Sequence, residues 1–190
     1  MKNLAALIAL AAVVVLAAGC SNPTAQADSD ISSVNAHLNA AAASEAKAKD
    51  LTTRLGAVSY TKAGATQALT LITQMQAELN TQKTELQAAQ SKLGSATKLD
   101  IKPELKKYIQ LESLAIDTRI EIVDAGMQLY DETGQMYRAI SAGKSNNVAM
   151  NKITASMDQS SSQIEALTLQ AATQTQAASS YFTAHKLGGQ

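Results

Sequence analysis

The sequence predicts an all-α protein, an antiparallel up-down-up-down four-helix bundle with long helices and coiled-coil-like packing. Three observations carry that expectation. The chain of 190 residues holds 36 Ala, 17 Ser, 17 Thr and 16 Gln, with five Tyr, one Phe and no Trp. A β-sandwich or barrel would need more aromatic and β-branched residues, whereas Ala, Leu, Gln, Lys and Glu all suit long helices. Apolar residues recur at spacings of three, four and seven, the period of one helix face. Finally, short connections marked by glycine or proline separate the periodic stretches, so neighbouring helices run antiparallel.

The first helical stretch, about 30–56, places Ile31, Val34, Leu38, Ala41, Ala48, Leu51 and Leu55 on one face. Asp28 to Asp30 are the candidate N-caps, and residues 20–29 read as a polar tether ahead of it. Gly56 and Gly64 bracket a break that contains Tyr60. The second stretch, about 65–93, carries Ile72, Leu79, Leu86 and Leu93 at strict sevens, with Met75, Gln82 and Ala89 between them. Gly94 is the expected stop and 95–102 the following loop.

Pro103 suits the first turn of the third stretch, about 103–141. There Ile109, Ile116, Val123, Tyr130 and Tyr137 repeat at sevens, and Leu105, Tyr108, Leu111, Ala115, Ile120, Ile122, Met127, Leu129 and Ile140 widen the stripe. The polar residues form a single strip, so most of this helix must be covered by neighbours. The fourth stretch, about 146–186, has a seam of Met150, Ile153, Met157, Ser160, Ile164, Leu167, Ala171, Gln174, Ala178 and Tyr181, followed by Gly188-Gly189. As read, the first two helices are shorter than the last two, so one pair projects or the third helix bends at Gly126 or Gly134. Residues 30–187 make a single bundle domain.

Sixteen basic residues balance sixteen acidic ones. No overall field draws the chain to nucleic acid. The first residues stand apart from the bundle. Met1-Lys2-Asn3 is a short positive start, and Leu4 to Ala18 is an unbroken apolar run. At 1.5 Å per residue that run spans roughly 22 Å, short of a bilayer's hydrocarbon core, and reads as a signal-peptide centre over residues 1–19. The run closes on Leu16-Ala17-Ala18-Gly19-Cys20, which resembles the lipobox of bacterial lipoproteins, with Ala17 where Leu is commonest. The resemblance covers residues 1–20 alone. It implies cleavage before Cys20, acylation of that cysteine, and a lipid-anchored protein on the extracytoplasmic side, at the outer membrane of a Gram-negative cell or the cell membrane of a Gram-positive one. The lone cysteine agrees, because it has no internal disulfide partner. Ser21 stands where an Asp tends to retain such proteins at the inner membrane.

Given that anchor, residues 56–65 and 142–147 become the far tips, and residues 94–103 lie near the bilayer. Lys92, Lys98, Lys102, Lys106 and Lys107 form a basic patch there, against Asp100 and Glu104, suited to anionic headgroups. Glu112 and Arg119 lie one heptad apart inside the apolar arc of the third helix, where charges need partners. Interhelical pairing and contact with a ligand between helices are both open for them. They are too far apart along the axis to pair directly, so each is expected to find a partner on another helix.

Asp117, Glu121, Asp124 and Asp131 share the polar strip and read as a solvated face. His37, His185 and the methionines lack the spacing of a metal site, and no cofactor is expected. No nucleophile elbow, phosphate loop or C-x-x-C is present, so catalysis is not expected. From Gln159 to His185 the only acidic or basic residue besides the histidine is Glu165, a face that could pack on a partner or a second copy. The expectation is therefore a structural or protein-interaction module of the cell envelope, or else a binding or sensing module with a small ligand between its helices.

Overall fold

The computed structural model describes residues 22–144 and 147–187, and these form four helices: α1 (Asn22–Gly56), α2 (Lys62–Ala96), α3 (Pro103–Ser141) and α4 (Asn147–Ala184). The signal segment 1–19, Cys20 and Gly188-Gly189 lie outside the described residues. Among the described residues there is no strand, and no helix is long and apolar enough to cross a membrane.

α1 corrects the expected tether. It begins at Asn22 rather than near residue 30. Ala27 is fully buried, Gln26 donates to Asp30 at 3.3 Å, and Asp30 is itself buried, 3.9 Å from Lys92 of α2. Asp28 and Asp30 thus sit within the helix instead of capping it, because packing on α2 outweighs their preference for a helix start. α2 begins at Lys62, three residues earlier than the periodicity suggests, where the Thr61 hydroxyl accepts from the Gly64 amide at 3.1 Å. Gly64 is no helix breaker. A Cβ there would collide with the Ser59 carbonyl, so glycine lets the 57–61 turn fold tightly onto the helix start.

Gly94 likewise does not end α2. It is exposed, and the helix runs on to the fully buried Ala96. Pro103 opens α3 as expected. α3 closes at Gly143, whose φ of +64° allows Lys144 N–H to reach the Ala139 carbonyl at 3.0 Å and its own N–H to reach Ile140 at 3.1 Å. At the end of α4 the same bonds form around Lys186, with φ of +51°, so the chain turns there ahead of Gly188. With the new boundaries the helices are 35, 35, 39 and 38 residues long, which removes the expected mismatch.

Cross-helix contacts give the topology. Asp30–Lys92, His37–Glu85, Lys47–Glu78 and Thr52–Met75 join α1 to α2 with numbers that fall as the others rise. Gln90–Asp117 and Lys83–Asp124, both 2.6 Å, join α2 to α3 in the same sense. Phe182–Tyr108, Gln170–Thr118 and Ser156–Glu132 do so for α4 and α3. Each helix is therefore antiparallel to the next, in an up-down-up-down four-helix bundle. The start of α1, the α2–α3 connection and the end of α4 share one end.

The backbones pack in sequence order, α1 on α2, α2 on α3 and α3 on α4. No Cα of α4 comes within 8 Å of one in α1 or α2. α1 and the turn after it meet α3 through side chains instead: Thr52 Oγ1 of α1 lies 2.6 Å from the Tyr130 hydroxyl, and the rings of Tyr60, in the turn, and Tyr137 stack 5.6 Å apart. The core fills this inner group. Ile72, Met75, Leu79, Leu86 and Leu93 of α2 interlock with Ile109, Ile116, Val123, Tyr130 and Tyr137 of α3, all buried.

Candidate functional site: charged clusters between the helices

Two charged clusters interrupt the apolar packing. The first centres on Arg119, which the heptad argument places inside the stripe of α3. It lies in the electrostatic reach of Glu112 on its own helix and of Glu45 on α1. Burial pulls the guanidinium below its ordinary value, and the two carboxylates oppose that pull. Burial pushes Glu45 above the usual carboxylate range, against the fields of Arg119 and Lys49. It does the same to Glu112, where the Tyr108 hydrogen bond and Arg119 act in the other direction. Gln82 of α2 adds an amide 3.5 Å from Glu45.

Arg119 thus has a partner on another helix, as expected. Glu112 corrects the expectation in part. Its hydrogen bond comes from Tyr108, four residues back on the same helix, because one α-helical turn brings that hydroxyl over the carboxylate. The Tyr108 phenol is in turn held strongly toward its protonated form, first by burial and then by the Glu112 charge. Electrostatically, the Arg119 guanidinium lies between a carboxyl of its own helix and one of α1, an attraction that links α1 and α3.

The second cluster was not anticipated. Glu132 is 7% exposed on α3 and accepts hydrogen bonds from Ser156 at 2.6 Å, Ser160 at 3.1 Å and Gln128 at 3.0 Å. The serines come from α4, so this carboxylate sets the register of that helix. The signal was present in the sequence: Glu132 sits off the polar strip, between Leu129 and Met136, just as Glu112 sits off it. Glu45 carried the same signal, one heptad after Leu38 and between Ala41 and Ala48 on the face read for α1, and was missed because that face was read from its apolar residues alone.

The remaining candidates separate. Of the basic residues, Lys98, Lys102 and Lys107 are exposed and Lys106 half-buried, whereas Lys92 is drawn onto Asp30. The acidic strip is divided: Asp117 and Asp124 are engaged by Gln90 and Lys83 of α2, Asp131 by Gln135 and Arg138, and Glu121 is exposed. His37 meets Glu85 at 2.7 Å, and His185 stacks on Tyr181 with ring centroids 4.1 Å apart. Among the described residues no group of three or more His, Cys, Asp or Glu is placed to hold a metal ion. No family model, no curated protein and no solved structure matches the chain.

Proposed function

We propose that this chain is a bacterial lipoprotein, acylated at Cys20 and anchored in a membrane of the cell envelope, whose extracytoplasmic bundle serves as a structural or protein-interaction module. The observation that carries the reading is the apolar run Leu4–Ala18 closed by Gly19-Cys20. The architecture supports it. α1 begins two residues after Cys20 and shares its end of the bundle with the α2–α3 connection, so the anchor would hold Lys98, Lys102, Lys106 and Lys107 beside the headgroups. Helices of 35–39 residues would then carry the opposite tips, with the exposed Tyr60, roughly 50–60 Å outward. Arg119 is answered by two carboxylates of the chain itself, which favours an interhelical tie over a ligand contact.

Mass spectrometry of the full-length product made in a bacterial host tests the reading. The expected result is a chain that starts at Cys20 and carries diacylglyceryl and N-acyl groups, while Cys20→Ala retains residues 1–19 and loses the lipid mass. An unmodified Cys20 in the native product overturns it.

A further inference from the structure

We infer that α4 is a releasable helix, one that leaves α3 as a unit while α1, α2 and α3 remain folded around their common core. The inference goes beyond the proposed anchoring and does not depend on acylation of Cys20.

Attachment is the first ground. The backbone of α4 approaches α3 alone, and the ties from its side chains, Ser156 and Ser160 to Glu132, Gln170 to Thr118 and Phe182 to Tyr108, reach that one helix. Release therefore leaves Lys83–Asp124, Gln90–Asp117, Thr52–Tyr130 and the Tyr60–Tyr137 stack in place.

The content of the seam is the second. The buried residues of α4 are Ser160, Ala171, Thr175 and Ala178, all small, while Met150, Ile153, Met157, Ile164 and Leu167 stay half-covered. α4 therefore encloses none of its own large apolar side chains fully, and each contributes only part of its area to the seam. The α2 seam, by contrast, buries Ile72, Met75, Leu79, Leu86 and Leu93.

Unmet polarity is the third. The Thr175 hydroxyl and the Gln174 side-chain carbonyl are buried without a hydrogen-bond partner among the described residues. Docking withholds water from both and release returns it, so these two groups favour opening. What opposes release is the packing of Met150, Ile153, Met157, Tyr181 and Phe182 against the core, with the aromatic contact between Phe182 and Tyr108 and the serines on Glu132. The uncovered face of α3 would present Tyr108, Thr118 and Glu132, with Ala125, Leu129 and Met136 at matching helical positions.

Hydrogen exchange with mass spectrometry on the full-length chain in mild detergent, under conditions where exchange reports the opening equilibrium, tests this. Amides in the middle of α4, 157–178, are expected to exchange about tenfold or more faster than those in the middle of α2. Thr175→Val, which replaces the unpartnered hydroxyl with a methyl, is expected to slow α4 several-fold and leave α2 unchanged. A difference below tenfold between the helices, or a variant that alters both alike or neither, overturns the inference.

Discussion

α2 and α4 are nearly equal in length, 35 and 38 residues, and each sets a residue toward its neighbours every three or four positions. Their fates differ. Along α2 every seam residue from Ala65 to Ala96 is buried, because α1 covers one flank and α3 the other. Along α4 the large apolar residues are half-covered, and Val148 and Leu169 stand 82% and 71% exposed. Periodicity tells which face of a helix turns inward. It does not tell how many neighbours will cover that face, and coverage is what converts an apolar pattern into stability.

Truncation of the two seams should separate them most strongly. Leu86→Ala, at a fully enclosed site in α2, is expected to cost about 3–4 kcal/mol, whereas Ile164→Ala in α4 should cost no more than about 1.5 kcal/mol. Urea unfolding monitored by circular dichroism measures both, and equal losses would mean that the two helices contribute alike to the core.

A smaller effect is expected at the junction that holds the outer helix. Glu132→Ala strands the buried Ser160 hydroxyl and removes the acceptor for Ser156, at about 2 kcal/mol. If the protein loses nothing by this change, Glu132 is not what fixes the register of α4.

The smallest effect concerns the inner side. Burial raises Glu45 and Glu112 above the value of 4.5 that an unburied glutamate has. The folded state therefore holds these protons more tightly than the unfolded chain does. Their contribution is fully present below the ordinary carboxylate range and is lost as pH rises through the raised folded values. Glu112→Gln should flatten that decline as pH rises above the ordinary carboxylate range. Urea midpoints across that rise read it, and an unchanged slope would show that Glu112 ionises in the fold as it does in the open chain.

Much of the inner core was legible. The sevens of α2 and α3 are all buried, and the bounds of α3 agree with the structure, because Pro103 and Gly143 act through backbone geometry that no partner alters. Boundaries that depend on packing were not legible. Residues 22–29 look like a tether from their Pro, Ser and Asp, yet they are helical and Ala27 is fully buried, and Gly94 continues a helix that neighbours hold in place. Of the charged residues, Arg119 was found because it breaks an apolar stripe, while the partner of Glu112 was misplaced because the same-helix Tyr108 was counted only as core. Glu132 shows the limit of that approach, since nothing in its own surroundings in the chain says that two serines some 24 and 28 residues later will face it.

The amino-acid order by itself determined the helices, their inward faces and their up-and-down course, since all three follow from local period and short connections. Only the tertiary structure decided that the backbone of α4 approaches α3 alone, that α1 reaches α3 through Thr52 and the electrostatic reach of Glu45, with Tyr60 of the following turn, and that Glu132 closes under the serines of α4. Those outcomes depend on which helices become neighbours across the bundle, a competition among whole surfaces that no short stretch of sequence records.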